Sequence, residues 1–372
     1  MSAALIDLVS VGAQDVYITG DPQVSFFRQN YKRHTNFAIK PERMDYIGEF
    51  GASNEVIIPI RSKGDLLSYV WIEATNINKP NNTAASLFSS AAAPTEFSLW
   101  VGGQEVCKMD SLFVAGVHNV LYNESQAKAS CATTCYGPGT VDAGGSGATT
   151  QNISSGSYVI PFFFSEDWTK SLPLVGLQYH EVEIRIKLHS AFSKGSTPKV
   201  YGSYIYLDTE EREFFANNEH EILITQTQYQ PMSKDDTSVD LTYFNHPVKA
   251  VHIACAEDHA TKYSFTDASL YINGTTLFEN MTHEYHNKVV PSRHCSVLPE
   301  VLNGEPVTTW PFCLTMNKSQ PTGTLNFSRI DNAKITINGG DSGDTPAALR
   351  AYAVNYNILR IKNGMGGVAF GN

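Results

Sequence analysis

One stretch of the chain, residues 181–188, alternates charged and apolar side chains without a break and reads EVEIRIKL. Successive residues of an extended strand point to opposite faces of a sheet, so this stretch predicts a strand with one buried and one wet face. Comparable short runs, separated by turn-rich segments, lie at residues 55–61, 69–74, 97–101, 200–207, 222–227, 249–254, 269–272, 334–338 and 349–361. Many short strands of this kind are typical of an all-β fold built from sandwiches.

Two sequence patterns occur twice, once in each half of the chain and in the same order. The first is SLWVGG at residues 98–103 and SLYING at residues 269–274, each typical of a strand followed by a tight turn. The second is a Pro-Phe pair that begins at Pro161 and again at Pro311. The two patterns lie farther apart in the first half, where the Gly- and Ser-rich residues 131–157 predict a long surface loop. The sequence therefore predicts two sandwiches of related topology in tandem.

A helix is predicted near the middle of the chain, at residues 209–218. Thr209 is expected to cap its first turn, and Glu210 and Glu211 favour the positive end of the helix dipole. Because 372 residues are too many for one ordinary core, we interpret this helix as the link between two domains. The predicted boundaries are residues 1–24 for an amino-terminal arm, 25–215 for the first domain and 216–372 for the second.

The charge balance argues against direct binding to nucleic acid. The chain has a formal net charge of -10 at pH 7, and no run of Lys or Arg resembles a basic arm that could neutralise phosphates. The richest basic stretch, residues 26–43, is interleaved with aromatic residues. We predict that this stretch packs against its own or a neighbouring chain, with a contact to nucleic acid or lipid as the alternative.

The sequence predicts a soluble protein that is made in the cytosol. The first ten residues, MSAALIDLVS, have no basic lead-in and are interrupted by Asp7, so no secretory signal is predicted. No apolar run approaches the roughly 18 residues of a membrane-spanning helix. Six cysteines spread over so long a chain do not form a dense disulfide framework, so free thiols are expected.

A search for catalytic, cofactor or metal motifs favours a protein that is not an enzyme. No Gly-rich phosphate loop, nucleophile elbow or zinc-finger spacing is present. The nearest approach to a metal cluster is His283, His286, His294 and Cys295, for which we favour a structural or surface role over metal binding. The spacing of Cys131 and Cys135 matches no common metal or redox motif. No catalytic residue, cofactor or metal site is therefore predicted.

Seven asparagines fit the pattern for N-glycosylation, Asn-X-Ser/Thr. They are Asn81, Asn123, Asn152, Asn273, Asn280, Asn317 and Asn326. The pattern arises readily in a chain rich in Asn, Ser and Thr, and without a secretory signal the usual glycosylating enzymes would not meet it. These asparagines are therefore candidate glycan acceptors and nothing more.

Several segments resemble the major capsid proteins of the nucleocytoplasmic large DNA viruses, the lineage of algal and giant viruses. The most specific are YAVNYNILRIKNGMGGVAF at residues 352–370 and GTLNFSRIDN at residues 323–332. Further matches are SFFRQNYKRHTNF at residues 25–37, LPLVGLQYHEV at 172–182, YLDTEER at 206–212 and NHPV at 245–248. The likeness extends from near residue 12 to the end of the chain.

The resemblance implies a double jelly roll, with two eight-stranded sandwiches in tandem. It also implies a homotrimer whose six similar sandwiches form a pseudo-hexagonal capsomer that tiles an icosahedral shell. The expected partners are further copies of the chain, neighbouring capsomers and minor capsid or cement proteins. An internal membrane is expected near the shell, and the expected location is the virion after assembly in the host cytoplasm.

Three alternatives stay open at this point. The chain is short for the family and residues 278–298 do not match the usual second-domain loop, which leaves a minor capsid paralogue open. A receptor-binding capsid protein would show its selectivity in the outer loops. A jelly-roll protein that binds or cleaves carbohydrate would need paired carboxylates or an aromatic platform beside a concave sheet, and the sequence shows neither.

Overall fold

The computed structural model describes residues 10–77, 86–87, 94–118, 121–122, 156–233, 235–255, 265–296, 307–340 and 349–371. Residues 1–36 and residues 37–372 form separate units. In the first unit, a single helical turn, α1 (Val16–Thr19), buries none of its side chains. Several apolar side chains of this unit are exposed, namely Val11, Val16, Tyr17, Ile18, Val24, Phe26, Phe27 and Tyr31. The packing partner of the basic and aromatic stretch stays a prediction.

The first nine strands of the second unit form two antiparallel sheets. They are β1 (Phe37–Met44), β2 (Glu55–Ile60), β3 (Leu66–Glu73), β4 (Glu96–Val101), β5 (Gln104–Asp110), β6 (Ser157–Ile160), β7 (Leu172–Pro173), β8 (Val182–Lys187) and β9 (Lys199–Leu207). Sheet A has the order β1-β9-β3-β6, with β7 paired to β3, and sheet B has the order β2-β8-β4-β5. Together these sheets make the first sandwich.

The remaining strands form the second sandwich in the same order. They are β10 (His220–Met232), β11 (Ser238–Asp240), β12 (Pro247–Cys255), β13 (Asp267–Ile272), β14 (Thr275–Thr282), β15 (Val307–Pro311), β16 (Leu325–Asn326), β17 (Ala333–Asn338), β18 (Leu349–Lys362) and β19 (Met365–Val368). Sheet C has the order β10-β18-β12-β15, and sheet D has the order β11-β17-β13-β14. The strand orders of sheets C and D match those of sheets A and B, and β16 pairs with β12 as β7 pairs with β3, which confirms the predicted double jelly roll. Strand β19, which pairs with β18, has no counterpart in the first sandwich.

The strand pairing confirms the duplication in detail. The two SL-containing segments form the β4–β5 and β13–β14 hairpins, which turn through Gly102 and through Asn273 with positive φ. The pairing of β3 with β9 shifts by one residue at Ser68, and the pairing of β12 with β18 shifts by one residue at Lys249. Such a bulge occurs at a defined place in a sheet, so its repetition supports a common topology.

Short helical segments connect the strands. They are α2 (Phe163–Glu166), α3 (Thr209–Asn217) and α4 (Val290–His294), with π-helical turns at Phe113–His118 and Tyr285–Val289. Helix α3 confirms the helix predicted in the middle of the chain. The predicted cap was wrong by one residue, because the Asp208 carboxylate accepts the hydrogen bond from the backbone N–H of Thr209.

Each sandwich has an apolar core between its sheets. The first core contains Val56, Ile58, Leu67, Phe97, Ile184 and Tyr204, all fully or nearly fully buried. The second contains Leu241, Val251, Leu270, Trp310 and Ile335. The alternating strand predicted at residues 181–188 is β8, which turns its valine and isoleucines into the first core and its charged residues outward.

Some predictions fall outside what the structure decides. The predicted domain boundaries stay a prediction, although β9 ends before α3 and β10 begins after it. The predicted loop at residues 131–157 lies almost wholly outside the described residues. None of the helices in the described part of the chain is long and apolar enough to cross a membrane.

Candidate assembly interface

The two sandwiches contact each other through β5 of the first and sheet C of the second. At the end of β5, the Asp110 side chain is only 1% exposed and reaches across to β18. Its carboxylate accepts a hydrogen bond from the Tyr352 hydroxyl at 2.8 Å and pairs with the Arg350 guanidinium at 2.6 Å. The backbone N–H of Phe113 donates another hydrogen bond to it at 2.7 Å. A buried, fully bonded charge therefore ties the first sandwich to the second.

Burial dominates the electrostatics of this carboxylate. It raises the pKa of Asp110, although the Phe113 N–H and the Arg350 charge both favour the ionised form. The Arg350 guanidinium also lies over the Tyr229 ring of β10, 4.5 Å from the ring centroid. Arg350 thus has two partners on different strands, and removal of either would leave a poorly solvated cation.

A second polar cluster lies between α2 and sheet C. The Glu166 carboxylate accepts hydrogen bonds from Lys170 at 2.8 Å and from the Thr225 hydroxyl of β10 at 2.5 Å. Lys249, the bulge residue of β12, is buried and donates to the carbonyl of Met316 at 3.0 Å. Burial by itself would raise the pKa of Glu166, but the charges of Lys170 and Lys249 outweigh it, and the pKa is lowered. Glu166 therefore stays ionised between two cations.

A histidine links the sandwiches beside this cluster. The Tyr122 hydroxyl of the first sandwich lies 2.8 Å from Nε2 of His252, and Nδ1 of His252 lies 3.0 Å from the Thr309 hydroxyl. His252 is completely buried, and burial lowers its pKa to about 3. The imidazole is therefore neutral near pH 7, with both ring nitrogens hydrogen-bonded.

The first sandwich covers the outer face of sheet C. This is the face turned away from the core of its own sandwich, and five of its residues belong instead to the apolar cluster of the first sandwich: Ala250, Ala254, Val307, Tyr352 and Val354. The Phe113 ring packs on Tyr352, with 5.4 Å between ring centroids. The contact between the sandwiches is therefore an apolar interface that contains a few fully bonded charges.

Sheet A presents the equivalent face without such a cover. Trp71 pairs with Tyr201 and Val159 across its sheet, just as His252 pairs with Tyr352 and Thr309. His252 and Tyr352 are completely buried, whereas Trp71 and Tyr201 are half-exposed. At the edge of this sheet, five consecutive residues of β1 from Phe37 are exposed.

An aromatic row runs along the outer face of sheet A, and we define it as Tyr201, Trp71, Tyr69 and Trp168. Tyr201 stacks on Trp71 with 5.4 Å between centroids, and Trp71 contacts Tyr69 at 5.5 Å. Tyr69 meets the edge of Trp168 at 6.4 Å, and Trp168 is 59% exposed. Aromatic residues are enriched at the centres of protein interfaces, so this row is a candidate interaction surface.

Two residues of the second sandwich that correspond to the covering part of the first are exposed, namely Leu277 and Val289. Val106 of β5 and Leu277 of β14 occupy the same place in the repeated hairpin, yet Val106 is 1% exposed and Leu277 is 51% exposed. Each hairpin leads into a π-helical turn. Within these turns Val117 is fully buried, whereas the corresponding Val289 is 48% exposed.

The structure places four of the seven candidate glycan acceptors. Asn81, Asn123 and Asn152 lie outside the described residues. Asn273, Asn280 and Asn326 are exposed, and each side-chain oxygen accepts a local hydrogen bond. Asn317 is half-buried and donates to Ser296. Use of any of these sites stays a prediction.

The four residues considered as a metal cluster have other partners. Nδ1 of His286 lies 3.0 Å from the carbonyl oxygen of Thr309, and Nδ1 of His294 lies 2.9 Å from that of Cys313. The thiol of Cys295 contacts the sulfur of Met316 at 3.5 Å. Across the described ranges, no three His, Cys, Asp or Glu side chains are grouped so that they could hold a metal ion.

Sequence reasoning missed Asp110, Arg350 and Lys249, the charged residues at the contact between the sandwiches. Each lies within or at the end of a strand whose neighbouring residues are mostly apolar. A charged residue in such a position indicates a buried ion pair or hydrogen bond, because a buried charge without a partner is costly. The pattern alone does not identify that partner, since Asp110 and Arg350 are far apart in the sequence.

Comparisons with known proteins connect this geometry to a family. A family model described as "Major capsid protein N-terminus" matches residues 25–208, and one described as "Large eukaryotic DNA virus major capsid protein" matches residues 211–367. The major capsid protein of Pyramimonas orientalis virus is 31% identical over 407 residues, with 100% of both chains covered. The chain belongs to the large eukaryotic DNA virus major capsid protein family.

Other members of the family agree with this assignment. The major capsid protein of Paramecium bursaria Chlorella virus 1 is 28% identical over 461 residues, with 100% of both chains covered. A solved structure of the PBCV-1 virus capsid superposes with a TM-score of 0.72 at 26% identity, covering 94% of this chain and 100% of that one. The Faustovirus major capsid protein, at 10% identity and a TM-score of 0.59, shares the fold.

The comparisons confirm the resemblance found in the sequence. Members of this family are structural capsid proteins and not enzymes, which confirms the prediction that this chain has no catalytic role. The functional surfaces to be explained are therefore the ones that contact other proteins of the shell. The half-buried face of sheet A and the exposed residues of the β14 region are the candidates for such surfaces.

Proposed function

We propose that this chain forms homotrimeric capsomers of pseudo-hexagonal outline that tile an icosahedral shell. One observation carries the proposal: the first sandwich covers the outer face of sheet C, while the equivalent face of sheet A is only half-buried and the covering residues Leu277 and Val289 of the second sandwich are exposed. A contact between two different surfaces can repeat from copy to copy, and it ends only when it closes into a ring. Three copies supply six similar sandwiches for such a ring.

The remaining partners follow from the same proposal. Neighbouring capsomers and minor capsid or cement proteins contact the outer edges of the capsomer, and the chain is located in the virion after assembly in the host cytoplasm. The net charge of -10 opposes direct contact with the genome, so the shell encloses it without binding it. An internal membrane lies near the shell without being crossed by this chain.

The native mass of the purified protein tests the proposal. The chain has a mass of 40.9 kDa, so light scattering at several concentrations is expected to give about three times this value. Electron microscopy of the same sample is expected to show particles with six similar lobes. A monomer at every concentration measured would refute the trimer and leave a minor or receptor-binding role in the capsid.

A further inference from the structure

We infer that the aromatic row on sheet A is the docking surface for β14 and the adjoining π-helical turn of a second copy of this chain. The inference rests on the proposed function, because it names the surfaces through which the copies join. Its evidence is the internal repeat, which shows one example of the contact already formed within the chain.

The formed contact supplies the template. Within one chain, the region from β5 through the π-helical turn of the first sandwich covers the outer face of sheet C. There, Phe113 packs on Tyr352, and Tyr122 meets His252. Because the central strands of sheets A and C have the same order and register, the residues at the centre of this face of sheet C have counterparts on sheet A.

The counterparts define the second surface of the contact. Tyr201 corresponds to Tyr352, and Trp71 corresponds to His252, as their pairing across each sheet shows. These two residues form the centre of the aromatic row. An aromatic pair that is half-exposed on a sheet face presents a large, rigid apolar surface at little cost in side-chain entropy.

Residues in and beside the π-helical turn of the second sandwich define the other partner. Leu277 and Val289 are exposed there, and Tyr285 is half-buried. Tyr285 and Phe113 are the first residues of their π-helical turns, and each follows the end of its strand by three positions. The equivalence places Tyr285 of one copy on Tyr201 of the next. Val289 and Leu277 then become buried, as their counterparts in the first sandwich are.

The two contacts differ in their charges. Asp110 corresponds to Thr282, since the two residues pair with Glu96 and Asp267 at the same place in the repeated hairpins. The ion pair of the first contact therefore has no direct counterpart in the second. The contact between copies depends on aromatic and aliphatic burial, so it is expected to be weakly sensitive to salt.

Substitution of Val289 provides the first test. Val289→Asp places a charge at the centre of the inferred contact and is expected to weaken self-association at least tenfold, giving mostly monomer at concentrations where the parent protein is a trimer. The matched control is Ile47→Asp, which alters an exposed aliphatic residue bridged to β2, at the edge of sheet B opposite β5. The control is expected to stay a trimer. Circular dichroism and thermal unfolding verify that both variants are folded.

A pair of opposite charges introduced at Tyr285 and Tyr201 provides the second test, because only residues in direct contact can restore association when both are changed. Tyr285→Lys and Tyr201→Glu are each expected to weaken the trimer, and the double variant is expected to recover at least part of the lost association. The matched control combines Tyr285→Lys with Tyr243→Glu, at an exposed tyrosine in the turn between β11 and β12. This control is expected to show no recovery.

The outcomes separate the inference from the proposed function. A parent trimer that persists in folded Val289→Asp, together with no recovery in the opposite-charge pair, overturns the inferred surface while the trimer itself stands. A parent protein that is a monomer at all concentrations overturns both. Loss of the trimer in Val289→Asp with recovery in the opposite-charge pair supports both.

Discussion

Removal of the Asp110 carboxylate should show how much the buried ion pair between the two sandwiches contributes to the stability of the chain. Asp110→Ala leaves the Arg350 guanidinium buried without its carboxylate, and it also takes away an acceptor from the Tyr352 hydroxyl and from the Phe113 N–H. Breaking a buried pair by removing one partner typically costs about 3–5 kcal/mol. We therefore expect Asp110→Ala to lower the free energy of unfolding by about that amount, measured by urea denaturation at fixed protein concentration.

A double-mutant cycle tests whether the cost comes from the ion pair. Arg350→Met keeps an apolar stem while removing the charge, so the double variant with Asp110→Ala lacks the unpaired cation. Its loss of stability is expected to be smaller than the sum of the two single losses by about 2 kcal/mol or more.

An exposed pair on the same strand serves as the control. Glu221 and Arg360 form an ion pair between β10 and β18, and both side chains are more than half exposed. Glu221→Ala is expected to cost less than about 1 kcal/mol, because water and salt screen such a pair. If Asp110→Ala were no more damaging than Glu221→Ala, the argument from burial would be refuted.

Two further predictions concern pH and backbone conformation. Unfolded histidine binds a proton near pH 6.5, whereas folded His252, with a pKa of about 3, does so only near pH 3, so the free energy of unfolding should fall as the pH drops between these values. The raised pKa of Asp110 acts in the opposite direction. In His252→Gln the urea midpoint should therefore fall less steeply with decreasing pH. Gly102 has φ of +58°, and an added Cβ would overlap the His180 ring, so Gly102→Ala should lower the free energy of unfolding by roughly 1–3 kcal/mol. Gly156→Ala, where an added Cβ meets open space, should change the melting temperature little, and an equal loss in both variants would contradict the steric argument.

Much of the fold could be predicted because polar and apolar residues alternate along any strand that has one face in the core and one in solvent. The nine predicted runs and the EVEIRIKL stretch all lie on observed strands, and the repeated SL motifs proved to be the same hairpin. Nine of the 19 strands in the described part of the chain were missed, among them β1 and β14. Strand β1 (Phe37–Met44) contains a proline and exposes both faces over most of its length, and β14 (Thr275–Thr282) has few apolar residues. Neither strand carries a periodic burial signal in its own sequence, since the surface that would cover it belongs to another copy in our proposal.

The contact surfaces could not be predicted from the pattern alone. Tyr69 and Trp71 alternate with buried residues of β3, so the sequence shows that they face outward. It does not show that Tyr201 and Trp168, distant in the chain, extend the row. Likewise, Val289 looks like an ordinary helix residue until Val117, its counterpart in the first sandwich, is seen to be buried. Matched residues of the two sandwiches differ in exposure, and local periodicity carries no information about that difference.

The helix α3 gives the two sandwiches a permanent tether, and this bears on the order of assembly. A tether makes the contact across Asp110 intramolecular, so its effective concentration stays fixed however far the protein is diluted. The equivalent contact that we propose between chains is not tethered and must form when two chains collide. In a closed ring of six sandwiches, half of the contacts are therefore already made in every newly folded chain, and only the other half respond to the amount of protein present. A cell that makes this chain slowly would accumulate finished building blocks first and rings only above a threshold concentration.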